Sequence, residues 1–228
     1  EVTTPHQFDV AVAGVGHPKD VNLYQASRAA SYLQRAPTPV VRRGGCIILP
    51  AHCPEGVGSG TGEQRFEAIL RAASDMPTLL AELRRTDYPA GAQRAFFLAQ
   101  VLAENPVIVV GSRQPDLARA LHMLTAETME KALQMAVALL DRADLEVAVV
   151  PRALHTLPVV EFDPLQVAIG TVRLQLRRRG QEPAAVDAQQ AFDVLAELSR
   201  SEPDLPAAQW YLAAPEGRRQ HFVAAWGG

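Results

Sequence analysis

The residues best suited to chemistry lie in one run, GVGHPKDVNLYQASRA, over positions 14–29. Asn22, Tyr24, Gln25 and Arg28 place amide, phenol and guanidinium groups within two helical turns. Gln25 and Arg28 are spaced i, i+3 and so share a helix face. Arg28 can hold a carboxylate through a charged fork while Gln25 adds an amide donor. His17 stands just before them and is of the type that transfers protons near neutral pH. A capped helix start with a solvated face is the plainer account of the same residues. The dinucleotide fingerprint G-x-G-x-x-G requires glycine where Lys19 stands, and Pro18 disrupts its turn. The standard dinucleotide reading is therefore rejected.

A second run, ILPAHCPEGVGSGTGEQRFE, spans 48–67. His52, Cys53 and Glu55 are metal-ligand types, but their spacing fits no structural zinc site. His52 and Cys53 could form a nucleophile pair. Adjacent side chains usually diverge, so a structured glycine-rich loop is the simpler reading. Cys46 falls in an apolar strand and reads as a core residue. The six histidines form no i, i+4 pair. His17 and His155 both follow expected strands, whereas His122 is expected inside a helix. A third feature, Tyr88–Gly91 with Gln93 and Arg94, reads as a helix start.

The elements that must position these groups alternate. Phe8–Ala13, Gly45–Leu49, Pro106–Val110 and Leu145–Val150 are short continuous apolar runs. Such strands are buried on both faces, which requires a parallel sheet covered by helices. Helical periodicity marks 20–35, 63–73, 76–85, 91–104, 115–121 and 126–141. The expected fold is α/β, a Rossmann-like parallel sheet flanked by helices. Ligands of such sheets sit beyond the C-terminal strand ends. Those ends lead into 14–25, 50–62, 111–115 and 151–158. After about Val160 the pattern changes. Alternation in Thr171–Leu176 suggests a strand, Val186–Ser199 a helix, and 209–226 a hairpin around PEGRR. Domains are thus expected at 1–160 and 161–228, the second a small α+β appendage with Trp210 and Trp226 in its core.

Bulk composition narrows the function classes. Twenty-two basic residues face 25 acidic ones, a net charge of −3, which argues against a nucleic-acid binder. No apolar run approaches the roughly 20 residues that span a bilayer. Two cysteines are too few for a disulfide framework. A cytoplasmic protein is the default expectation.

With these motifs in place, the chain resembles the C-terminal domain of nickel-dependent lactate racemase and its 2-hydroxyacid racemase and epimerase relatives. The resemblance rests on Gly16–Ala29, Gly44–Ser59, Pro106–Ser112 and Pro151–Val159, in order through about 160 residues. It implies a nickel pincer cofactor, a pyridinium nucleotide carrying nickel through carbon and sulfur. It also implies hydride removal from C2 of the acid and return to either face. The family's cleft-facing tyrosine, glutamine and basic residue map onto Tyr24, Gln25 and Arg28. Family members usually carry lysine at the last position, and the larger arginine suits a different acid. Asn22 and His17 are secondary candidates.

The resemblance places the cofactor lysine, the nickel ligand and the bases on the family's N-terminal domain. Lys19 and Lys131 do not match that motif. No catalytic residue and no metal ligand is therefore expected here. The chain begins at Glu1 rather than Met, so it is expected to be a fragment or one subunit of a split protein. Its partners would be a small 2-hydroxyacid and the missing domain or chain, and alone it should not turn over. The alternative is a non-catalytic module of the same fold that binds a small acid or nucleotide.

Overall fold

The computed structural model describes residues 2–4, 6–36, 39–85, 89–160, 164–213 and 217–226. The chain divides into two compact units, Glu1–Glu161 and Phe162–Gly228.

Unit 1 is α/β. Its strands are β1 (Val2–Thr4), β2 (Phe8–Ala13), β3 (Val41–Pro50), β4 (Val107–Val110), β5 (Leu124–Ala126), β6 (Val147–Val150) and β7 (Pro158–Val160). Its helices are α1 (Leu23–Gln34), α2 (Thr61–Ala72), α3 (Met76–Leu83), α4 (Ala92–Glu104), α5 (Pro115–Ala120) and α6 (Met129–Leu140). The main sheet has the order β5-β4-β3-β2-β6, parallel throughout. The chain steps outward from β2 to β5, then returns to place β6 on the other side of β2. A separate parallel pair joins β1 to β7, with Val2 opposite Pro158.

Strand pleating divides the apolar residues between two cores. Ala11, Ala13, Ile47, Leu49, Val107 and Val109 belong to the cluster that α1 to α4 cover. Val10, Cys46, Ile48, Ile108 and Val110 face the opposite way, toward Ala132 and Ala136 of α6. Continuous hydrophobicity in these strands thus reflects burial on both sides. The exception is edge strand β6, where Val149 is 65% exposed.

Two sequence expectations are extended. β3 begins at Val41, earlier than expected, and β5 lies mostly in the unassigned gap between the helices expected at 115–121 and 126–141. One expectation is corrected in detail: His122 lies outside α5, at positive φ (63°), with Nε2 3.1 Å from the Leu70 carbonyl.

Unit 2 comprises α7 (Pro164–Arg178), α8 (Ala188–Ser201), α9 (Pro206–Ala213) and α10 (Arg218–Trp226), with a 3-10 turn at Pro183–Ala185. No strand occurs among its described residues, so the expected α+β appendage is corrected to a helical one. The alternation in Thr171–Leu176 was misleading. Ala168, Val172 and Leu176 recur every four residues and are all buried, which is helical periodicity. The expected hairpin is likewise two helices. Phe222 and Trp226, one turn apart on α10, stack with centroids 5.7 Å apart inside the unit's core.

Candidate functional site

The site sits where the loops leaving β2, β3, β4 and β6 meet. Backbone hydrogen bonds join them. Cys53 N–H donates to the Asp20 carbonyl at 2.8 Å, and Leu23 N–H to the Gly56 carbonyl at 2.7 Å. Arg113 N–H donates to the His52 carbonyl at 2.8 Å. Gly14 and the loop after β6 bond reciprocally, Gly14 N–H to Val150 and Ala153 N–H to Gly14. A Cβ at Gly14 would overlap the Pro151 backbone, so glycine is required for this closeness.

Asn22 is buried and caps α1: its Oδ1 accepts from Gln25 N–H at 2.9 Å. Its Nδ2 donates to Glu63 Oε1 at 3.4 Å, and Glu63 Oε2 accepts from Gly60 N–H at 2.6 Å. One carboxylate therefore fixes the start of α2 against the cap of α1. Asn22 thus links the start of α1 to Glu63.

Beyond the cap, α1 turns three polar side chains outward. Arg28 Nη1 donates to Gln25 Oε1 at 3.2 Å, and Arg28 Nη2 donates to the Tyr32 hydroxyl at 3.1 Å. Gln25 and Tyr32 thus grip the guanidinium from both sides. Arg28 Nε is buried with no partner. Tyr24 meets Phe66 edge-on, centroids 5.4 Å apart. The guanidinium of Arg94 on α4 lies 5.9 Å from the Tyr24 ring centroid, within cation–π range. The structure therefore joins Gln25 to Arg28, while Tyr24, one turn before Arg28 on α1, packs against Phe66 and Arg94. Sequence reading missed Tyr32, although its i+4 spacing from Arg28 was an available signal. It treated Arg94 as part of a plain helix start, because contact with Tyr24 arises only when α1 packs on α4.

The remaining candidates stand apart. His17 precedes a cis bond to Pro18; its side chain is 84% exposed, with Nδ1 3.9 Å from Asp20 Oδ1. His52 is exposed and its Nδ1 lies 3.2 Å from the Gly111 carbonyl. Cys53 is buried, and desolvation reinforced by the Asp20 charge pushes its thiol up to about 12. Enclosure and the raised thiol both weigh against Cys53 as a nucleophile paired with His52. Burial also raises Cys46 to about 12. No group of three metal-ligating side chains occurs among the described residues. Tyr88 of the third sequence feature falls outside them.

Residues 3–157 match the family model described as the lactate racemase C-terminal domain. The chain belongs to this family. The match takes in almost all of unit 1 and stops short of unit 2. The lactate racemase apoprotein from Thermoanaerobacterium thermosaccharolyticum has a similar fold, with a TM-score of 0.58 and 21% identity over 69% of this chain. The chain spans only 36% of that protein's length. No curated protein matches it. The lactate racemase C-terminal domain is thus embodied in the five-stranded sheet and α1 to α6. No helix among the described residues is long and apolar enough to cross a membrane.

Proposed function

We propose that unit 1 is the substrate- and cofactor-contacting half of a 2-hydroxyacid racemase or epimerase. The observation that carries this reading is the Gln25–Arg28–Tyr32 array, preassembled on a half-buried face of α1 in a lactate racemase C-terminal domain. Arg28 receives a carboxylate through the second N–H of each terminal nitrogen, while Gln25 and Tyr32 hold the guanidinium in place through the first. Restricting the fork before the acid arrives lowers the ordering cost of binding. Tyr24, braced by Phe66 and Arg94, supplies a flat wall beside it.

The nickel pincer nucleotide of the family fits these residues in its organic part alone. Arg28 Nε is an unpaired buried donor suited to an anionic group. The described residues offer no cluster that could hold the metal. When bound, the cofactor supplies a hydride acceptor. Nickel and the proton-transferring bases belong, in this reading, to a separate domain or partner chain. The role of this chain is to anchor the acid, orient it and keep water from the reacting face.

Titration calorimetry with D- and L-2-hydroxyacids tests the anchor. Arg28→Ala is expected to weaken binding at least tenfold, about 1.4 kcal/mol. Unchanged affinity would remove Arg28 from the site. The 228-residue chain alone is expected to show no lactate racemisation, and measurable turnover would overturn the division of labour.

A second reading keeps the fold and the anion site without the chemistry. Arginine rather than lysine at position 28, and a helical unit outside the matched region, favour it. A binding module would retain affinity for acids lacking the 2-hydroxyl, which titration with the matching 2-deoxy acids distinguishes.

A further inference from the structure

A cavity of about 630 Å³ opens beside the α1 array, within unit 1. Its volume is that of a small-molecule site. Tyr32 and Phe97, 42% and 39% exposed, stand on its walls with Leu154 and Leu157. Aromatic and aliphatic surface left open in this way suits an apolar body. Its guanidinium groups come from Arg35 and Arg94, beside polar Ser31, His155 and Thr156, and no aspartate or glutamate lines the cavity. Neither arginine pairs with a carboxylate among the described residues. Arg94 Nε is moreover buried with no hydrogen-bond partner. A buried guanidinium donor without an acceptor is costly unless something supplies one.

We propose that this cavity binds an amphipathic carboxylate, with its acid group on Arg94 and Arg35 and an aromatic or branched apolar body against Phe97, Tyr32 and Leu157. Charge complementarity selects the anion. The apolar walls exclude short, fully hydrated acids, because only a larger body removes their surface from water. The cavity adjoins the α1 array through two shared contacts. Tyr32 accepts from Arg28 and also lines the cavity; Arg94 lies over Tyr24 and also lines it. Occupancy therefore bears on both ends of that array, while the recognition chemistry needs no 2-hydroxyl.

The test is titration of the full chain with 3-phenylpropionate and with propionate, followed by calorimetry and ligand-observed NMR. Binding of 3-phenylpropionate at least tenfold tighter than propionate is expected. Arg94→Gln and, separately, the exposed Arg35→Glu should each weaken it at least fivefold while leaving the circular dichroism spectrum intact. Equal affinity for the two acids overturns the proposal, as does 3-phenylpropionate binding unaffected by both substitutions. Arg28→Ala should leave 3-phenylpropionate binding within twofold, so failure of the cavity leaves the Arg28 anchor untouched. Loss of 2-hydroxyacid binding in Arg28→Ala is in turn a separate result.

Discussion

Asp9→Ala is expected to destabilise the chain by about 3 kcal/mol, the loss seen when one member of a buried ion pair is removed. Asp9 is only 2% exposed, near the start of the inner strand β2. Its Oδ1 lies 2.6 Å from Arg42 Nη2 and 3.3 Å from Arg142 Nη1, while Oδ2 accepts from Glu146 N–H at 2.9 Å. One carboxylate thus ties β2 to the irregular start of β3 and to the segment entering β6. The pairing of β2 with β3 shifts register between Phe8 and Val10, around this residue. Alanine would take the carboxylate from Arg42 and the acceptor from Glu146 N–H, while Arg142 would keep Asp144. Both arginines are about 40% exposed and can recover some hydration, which keeps the loss near the lower end of the usual range. Urea unfolding followed by circular dichroism measures it. A change under about 1 kcal/mol would mean that solvent already satisfies the triad. Arg142→Gln should cost less, because Asp9 keeps Arg42.

Gly91→Ala is expected to be comparably severe, at about 3 kcal/mol or more. Gly91 precedes α4 with φ 91°, which side-chain-bearing residues rarely adopt. A Cβ there would overlap the Gly62 carbonyl in the first turn of α2. Relief requires α2 and α4 to separate, and these helices carry Phe66 and Arg94, the two residues that brace Tyr24. Gly111 provides the control. It too has positive φ (74°), but a Cβ there meets nothing within 4 Å. Gly111→Ala should therefore cost only the backbone term, about 1 kcal/mol. Thermal unfolding of the two variants separates strain from overlap. Equal losses would show that the helix contact at Gly91 is soft.

The central strands were legible because each is an uninterrupted apolar run buried on both faces. β5, β1 and β7 were not, for a different reason. Each has three residues, too few for a period, and β1 and β7 are defined by each other across nearly the whole unit. In unit 2, Thr171, Arg173 and Gln175 alternate with Val172, Leu174 and Leu176, a strand-like pattern. Leu174 proved half exposed, and the buried set follows the helical spacing instead. The fold class was therefore readable where burial was simple and misleading where a helix buried one narrow stripe. At the site, Gln25 and Arg28 were readable from spacing on one helix. The roles of Tyr32 and Arg94 depended on a rotamer and on helix packing, neither of which a linear pattern records. That Asn22 caps α1 through Oδ1 was not read from the sequence, which offered Asp20 as the cap.

The β1–β7 pair also gives unit 1 a mechanical character. Both strands run the same way, with Thr4 opposite Val160. Tension applied across the two ends of the unit would slide β1 and β7 past each other rather than peel them apart. In that geometry the ladder's hydrogen bonds share the load together instead of failing in turn. The short clasp thus resists stretching as a shear joint, shielding the sheet and the α1 array from forces transmitted along the chain.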